Sequence, residues 1–329
     1  MAIASTDSAA DLQKVTESTS SLLQSVNVLS VGGLTIDIVL RVDRLPGHDE
    51  KVLSSLIGRM PGGPQPNFAC AASKLGLCVK SLAHIGSDEV GETVKADLVR
   101  HNVDTANVET VPGETFTTII LLDSTGEKAI IVVPSAKSNY RPTLVKQALR
   151  NINYMYIWPE PRDVFIELSR KAQANNVQVM IDVEDTACKG PDFVEAVLPF
   201  TDIASFNYGG FKAATGADSI TSDKLRKLLK YGPHTVVVTH GHKGAYAVTA
   251  GEDAHHDGYN VPVIDSTGAG DTFNAAFLVG TTLEYSLSER LAFACAAGAI
   301  SVTGLGPRGH LPSFEETRQL MSTDVNQQQ

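Results

Sequence analysis

Asp265-Ser266-Thr267-Gly268-Ala269-Gly270-Asp271-Thr272-Phe273-Asn274 is the stretch on which the reading of this chain turns. Val-Pro-Val-Ile precedes it and reads as the end of a strand. Ala-Ala-Phe-Leu-Val follows it and reads as a buried helix. Gly268 and Gly270 let the backbone turn tightly and come close to a ligand with no Cβ in the way. A turn that runs into a helix leaves amide N–H groups without intrahelical partners at the positive end of the dipole. That end suits an anion, most naturally a phosphate. Asp271 lies at the lip of the cradle, placed to take a proton from a hydroxyl as that hydroxyl attacks phosphorus. The string is not a Walker loop, because no Lys-Ser or Lys-Thr follows the glycines. A plain strand-to-helix turn with glycine and Asp caps would read the same way locally, so the rest of the chain must decide.

The bulk numbers narrow the classes. With 329 residues, 43% of them hydrophobic, the chain can bury one large α/β core with an appendage. Its net charge of −10 argues against a general nucleic-acid binder, which needs a basic face. No apolar run approaches the roughly 20 residues of a membrane-spanning helix. Cys70, Cys78, Cys188 and Cys295 are scattered, with neither metal-ligand spacing nor a disulfide framework. Free thiols of this kind fit a reducing cytoplasm. Residues 1–25 are rich in Ser, Thr and Ala and lack an apolar signal core, so they are expected to form a flexible extension. Residues 321–329 are expected to be a frayed tail.

Taken in order, Val26 to Gly32 reads as a buried first strand, with Asp37 just past its end, where α/β sheets place ligands. Ile38 to Arg44 and Lys51 to Met60 read as a hairpin. Pro61-Gly62-Gly63-Pro64-Gln65-Pro66-Asn67 then precedes a helix expected over Phe68 to Leu75. The Gly62-Gly63 pair permits close backbone approach, and the Asn67 amide can both donate to and accept from a ligand hydroxyl. Asp88 is expected to cap the helix that follows Ile85. Thr117 to Leu122 and Ala129 to Val133 form a second hairpin. Two hairpins flanking loops that could hold a substrate suggest a small β-sheet over the strand ends. Its apolar face needs cover.

From Leu144 onward helical and extended stretches alternate, which implies parallel βαβ units. Asn207 follows one strand and Thr239 ends another. Thr239-His240-Gly241-His242-Lys243-Gly244 sets a hydroxyl and two glycines at a strand end, a pattern suited to the ribose and phosphates of a nucleotide. His240 and His242 have no third ligand nearby in sequence, so no metal site is read there. Ser286-x-x-Glu289 is a capping box opening an apolar helix over Leu291 to Ile300.

Asp-Ser-Thr-Gly-Ala-Gly-Asp-Thr-Phe resembles the second signature of the ribokinase-like (PfkB) carbohydrate kinases. Gly-Gly-x-x-x-Asn resembles the first signature, and the Thr-x-Gly-x-x-Gly loop stands at the matching distance upstream of Asp271. The resemblance covers about residues 26–320. It implies a three-layer α/β domain with a parallel sheet and a β-lid, formed by segments about 38–60 and 115–134. It implies transfer of the γ-phosphoryl of Mg-ATP to a hydroxymethyl group of a neutral sugar. By the same resemblance Asp271 is the base, and Gly268, Ala269, Gly270 and Asp271 form the anion hole. Asp37, Gly62, Gly63, Asn67 and Asp271 would hold the sugar. Asn207, Thr239, Gly241, Gly244, Gly268 and Gly270 would hold ATP. Asp265, Thr267 and Ser301 correspond to a monovalent-cation site for K+. A homodimer through the lid is implied, with no nucleic-acid or membrane partner.

Two positions depart from the family pattern. Pro64-Gln65-Pro66 stands where many relatives carry Lys-Gly, and Gly210 stands where relatives read the Glu of Asn-x-x-Glu. Glu184 or Asp185 is the expected substitute for that Glu. Other acceptors fit the same fold, a nucleoside or a sugar phosphate, the latter with Arg41 and Arg59 near the lid. A kinase-fold protein that binds a sugar without turning it over is the reading from a different class.

Overall fold

The computed structural model describes residues 18–124, 128–134, 139–188 and 190–325. Most of the expected extension and residues 326–329 of the expected tail lie outside the described residues. The part of the extension that is described, residues 18–25, is a helix, α1. Its Leu23 is 2% exposed and packs into the core, so this end of the segment belongs to the folded domain.

The first strand, β1 (Asn27–Val31), shows why the fold has three layers. Val28 joins one apolar cluster and Leu29 and Val31 join the other. Successive side chains of a strand point to opposite faces, so a strand with apolar side chains on both faces must be covered on both. The same division recurs in β8 (Tyr154–Ile157), where Met155 and Ile157 face away from Tyr156. In β11 (Thr235–Thr239) Val236 and Val238 face away from Val237. Between them lie β9 (Gln178–Val183) and β10 (Ile203–Asn207). On the other side of β1 lie β4 (Cys78–Gly86) and β5 (Asp104–Val111). The hairpin β12 (Ala245–Val248) and β13 (Asp253–His256) completes a nine-stranded sheet of order β13-β12-β11-β10-β9-β8-β1-β4-β5. The pairings from β11 to β5 are parallel and the two at the β13 edge antiparallel.

One face is covered by α2 (Pro64–Lys74), α3 (Glu89–Arg100), α9 (Ala269–Thr282) and α10 (Leu287–Ser301). The other is covered by α4 (Pro142–Ala148), α5 (Arg162–Gln173), α6 (Pro191–Val197), α7 (Tyr208–Thr215) and α8 (Ser222–Leu229). The α10 capping box forms as read: Ser286 accepts from Glu289 N–H, and Glu289 accepts from Ser286 N–H. Asp88 caps α3 by accepting from Gly91 N–H at 2.8 Å. It also accepts from Thr115 N–H at 2.9 Å and so ties the helix to the lid's second segment.

The small sheet has the order β3-β2-β6-β7, with β2 (Thr35–Val42), β3 (Ser54–Gly62), β6 (Phe116–Leu122) and β7 (Lys128–Val133). Both hairpins form as read, and they join through parallel pairing of β2 with β6.

Five expectations change. Val261 to Ile264 is not the end of a strand but an irregular segment, with Ile264 N–H donating to the Val302 carbonyl. Asp37 does not sit in a loop after β1. The break at Gly32-Gly33 is short, and Asp37 already lies inside β2, paired with Met60 and Thr118. Helix α2 starts at Pro64 rather than Phe68. Gly63 (φ 97°) is its N-cap, and Pro64 takes the first turn, where its missing N–H costs nothing. Strand β5, the β12–β13 hairpin and α7 were not read, because short elements with polar residues carry weak periodicity. Residues 321–325 are no tail but the last turns of α11 (Phe314–Val325), with Met321 against the core.

Candidate active site

Helix α9 begins at Gly268, whose φ of 79° is left-handed. A Cβ there would lie 2.8 Å from the Pro307 carbonyl oxygen, so conformation and space both call for glycine. No side chain caps α9, and nothing lies within 4 Å of where a Cβ on Gly270 would point. The helix start is therefore open on the side where an anion would approach.

Asp271, in the first turn, is 8% exposed. Its Oδ2 accepts from Asn67 Nδ2–H at 2.9 Å, so the two signature motifs meet at the side-chain level. Burial pushes the Asp271 carboxyl well up from its ordinary value, and the neighbouring carboxylates of Asp182 and Glu184 add to this. The Asn67 N–H and Arg308 oppose it. A carboxylate whose affinity for protons is raised, yet which stays oriented by a donor, has the properties of a base for an alcohol proton.

A polar plug under the strand ends supports this carboxylate from behind. Asp182 on β9 is buried, and burial with the Glu184 charge raises it to about 7. Asn274 on α9 accepts from Ser205 Oγ–H at 2.7 Å and donates to the Tyr156 hydroxyl at 3.4 Å. The Tyr156 ring stacks on Phe68 with centroids 3.8 Å apart. Sequence alone gave no sign of this cluster, because its members come from four separate elements.

Asp37 lies at the foot of the lid. A Cβ on Gly62 would stand 2.1 Å from its Oδ2, so the Gly62–Asp37 approach needs glycine. Burial raises the Asp37 carboxyl, against hydrogen bonds from Thr118 and Thr35. Arg308 was not read from sequence as a site residue. Its Nε–H donates to Asn67 Oδ1 at 3.1 Å, its Nη2 lies 3.5 Å from the Gly62 carbonyl, and its Nη1 pairs with Asp97. The only signal for it is an Arg inside a glycine-rich loop, Gly304 to Gly309. Cys70 and His101 lie near Asp97, but both Asp97 oxygens already face guanidinium groups, from Arg308 and Arg100, so no metal site is assigned there. Arg41 and Arg59 lie on β2 and β3 of the lid, opposite Ser55 and Ile38.

At the other end, Asn207 and Thr239 are partners in register across β10 and β11, side by side at the sheet's C-terminal edge. Asn207 Oδ1 accepts from Gly210 N–H at 2.7 Å. The Tyr208 and His240 rings stack beside them at 4.3 Å. Gly241 (φ 56°) and Gly244 (φ 80°) shape the following loop, and a Cβ on Gly244 would stand 1.9 Å from the His256 carbonyl oxygen. Asp265 pins the third loop: Oδ1 accepts from Thr267 N–H at 2.9 Å and Oγ1–H at 2.7 Å, and Oδ2 accepts from Gly306 N–H at 3.0 Å. Ser301 is near in the chain path, since Asp265 N–H donates to the Val302 carbonyl, but its own hydroxyl donates to Gly298 O at 2.8 Å.

No helix among the described residues is long and apolar enough to cross a membrane. A family model described as pfkB family carbohydrate kinase matches residues 26–313. A ribokinase of Haemophilus influenzae is 28% identical over 300 residues, spanning 88% of this chain and 97% of the relative. An ATP-dependent ribose-1-phosphate kinase of Halopiger xanaduensis is 26% identical over 294 residues, spanning 86% of this chain and 94% of the relative. The solved structure of Arabidopsis thaliana ribokinase complexed with ribose and ATP superposes with a TM-score of 0.80 at 26% identity, covering 91% of this chain and 99% of that one. With its three-layer sheet and β-lid, the chain belongs to the pfkB family of carbohydrate kinases, phosphotransferases of ribokinase-like fold.

Proposed function

We propose that the enzyme transfers the γ-phosphoryl of Mg-ATP to a hydroxymethyl group of a neutral sugar, with ribose as the first acceptor to try. The observation that carries this reading is the buried, proton-avid Asp271 carboxylate beside the open start of α9. Asp271 takes the hydroxyl proton as the oxygen attacks phosphorus. The amides of Gly268, Ala269, Gly270 and Asp271 receive the charge that builds on the transferring phosphoryl. Asp37, Gly62, Gly63 and Asn67 orient the sugar. Asn207, Thr239, Gly241 and Gly244 hold the nucleotide. Closure of the lid excludes water that would otherwise hydrolyse ATP.

The acceptor reads as neutral because the arginine nearest Asp271, Arg308, already answers the carboxylate of Asp97. Asp265, Thr267 and Ser301 would shape a K+ site beside the anion hole, which turnover in KCl against NaCl reads out. The lid leaves Ile130 and Val132 each about half exposed on one face of β7, a face that a second copy of the chain would cover.

The test is ADP release from Mg-ATP across ribose, fructose, 2-keto-3-deoxygluconate, fructose 6-phosphate, ribose 1-phosphate and adenosine. A neutral sugar that raises turnover far above the ATPase background is the expected result. Preference for a phosphorylated acceptor or a nucleoside would overturn the acceptor assignment. Intact ATP binding with silence across the panel would favour sugar binding without turnover.

A further inference from the structure

We propose that Arg308 is a positioning residue for phosphoryl transfer: it fixes which way the Asn67 amide points, and that amide holds the Asp271 carboxylate. The proposal rests on the kinase reading above. An asparagine amide has a carbonyl oxygen that accepts and an NH2 that donates, and a half-turn about its last bond exchanges them. Only one orientation suits Asp271, because a carboxylate facing Oδ1 would set two acceptors against each other. The guanidinium of Arg308 has donors and no acceptor, so only Oδ1 can face it. Its Nε–H reaches Oδ1 at 3.1 Å, and the opposite end of the amide then donates to Asp271 Oδ2 at 2.9 Å.

Arg308 is itself held. Its side chain is 8% exposed and pairs with Asp97, whose side chain is 9% exposed on α3. Asp97 also accepts from Arg100 at 2.8 Å. The chain Asp97–Arg308–Asn67–Asp271 thus links α3, the Gly304–Gly309 loop, α2 and α9, with donation running outward from Arg308 to Asp97 on one side and through Asn67 to Asp271 on the other. Lysine would supply the charge at Asp97 but not a fork that serves two acceptors at fixed angles.

The alternative is that the Arg308–Asp97 pair only staples the loop. Wild type, Arg308→Met, Arg308→Lys and the double variant Asp97→Asn/Arg308→Met separate the two, each as the full chain. One readout is the side-chain amide resonances of Asn67 in protein labelled with 15N-asparagine, assigned by their loss in Asn67→Ser. The other is steady-state turnover of Mg-ATP with ribose. Arg308→Met and the double variant are expected to move the Asn67 amide pair toward the position of a freely rotating asparagine. They are expected to lower kcat by about 10- to 100-fold, the cost of an angstrom-scale misplacement of the base. KM for Mg-ATP should stay within about twofold, since ground-state nucleotide binding is untouched. Arg308→Lys should recover part of kcat.

The double variant leaves no unpaired buried charge, so it carries the test if Arg308→Met does not fold. An Asn67 amide pair that does not move in a folded variant lacking Arg308, or an unchanged kcat there, overturns the proposal. A wild type that phosphorylates no acceptor would sink the kinase reading instead. The amide resonances need no substrate and would still decide the role of Arg308.

Discussion

Asn67 and Asp271 stand 204 residues apart in the chain and share a buried 2.9 Å hydrogen bond. The bond joins the first turn of α2, reached from the lid, to the first turn of α9, where a phosphoryl group would arrive. An amide donor at one oxygen keeps the carboxylate in a fixed plane while leaving its other oxygen for an incoming hydroxyl. Asp271→Asn keeps the shape and removes the base. It is expected to lower kcat by about 10²–10⁴-fold, the usual contribution of a positioned base. Binding of Mg-ATP, measured by calorimetry, should persist. Turnover within a few-fold of wild type would refute the assignment.

The Asp182 carboxyl bears on stability more than on chemistry. Burial and the Glu184 charge raise it from 3.8 to about 7 in the folded protein. Between those two values the folded state holds a proton that the unfolded chain has released. Stability from this group therefore falls as pH rises through the window, by at most about 1.4 kcal/mol per pH unit. Asp182→Asn removes the titration. Its unfolding free energy relative to wild type is expected to climb from pH 4 to pH 7. Urea unfolding curves that stay parallel across that range would show that Asp182 is ionised throughout.

Gly62 tests the acceptor end without replacing a charged residue. A Cβ there would meet Asp37 Oδ2 at 2.1 Å, so alanine must push Asp37 away from the foot of the lid. Gly62→Ala is expected to raise KM for the sugar by about tenfold or more, given how steeply such sites respond to misplacement. The nucleotide end lies elsewhere, so KM for Mg-ATP should hold. A rise in both constants together would mean that the change loosens the lid as a whole.

How much of this could be read from the sequence follows from how local each signal is. Strand β11 and the turn into α9 are encoded within a few residues, by a β-branched run and by a glycine, Gly268, with left-handed φ, and they are legible. The hairpins β2–β3 and β6–β7 were legible too, but not that their central strands pair in parallel, since that depends on where the whole chain returns. Arg308 was invisible because its three partners, Asn67, Asp97 and Gly62, come from segments more than 200 residues upstream. Asp37 reads as a loop residue in the sequence but lies in β2. Alternation that starts two residues after a Gly-Gly break is too short to distinguish a loop from a strand.

The lid's outer strand carries the prediction about assembly. Ile130 is 52% exposed and Val132 55% exposed; alternate residues of a strand share a face. They lie on β7, at the end of the small sheet, where an apolar edge invites pairing with another chain. Ile130→Lys with Val132→Lys is expected to convert a dimer to a monomer in sedimentation, with the melting temperature of the core little changed. A wild-type chain that sediments as a monomer at micromolar concentration would remove the premise.

Magnesium handling gives the last test, because Gly210, in the first turn of α7, has no room for a side chain. A Cβ on Gly210 would stand 2.0 Å from the Val183 carbonyl oxygen and 3.1 Å from the carbonyl carbon of Glu184. The end of β9 occupies the space that a side chain at 210 would need, with Glu184 and Asp185 at the same corner. Asp185 lies 3.4 Å from where a Cβ on Gly209 would be. The Glu184 charge is also felt by Asp271 and Asp182. Glu184→Gln with Asp185→Asn is therefore expected to raise the magnesium concentration needed for half-maximal turnover by about tenfold or more, since both carboxylates of that corner are removed. Gly210→Glu cannot restore it and should instead lower stability, since its Cβ meets backbone. A double variant with the wild-type magnesium dependence would show that the corner at β9 holds loop acids only, and that the family's acid has no replacement in this chain.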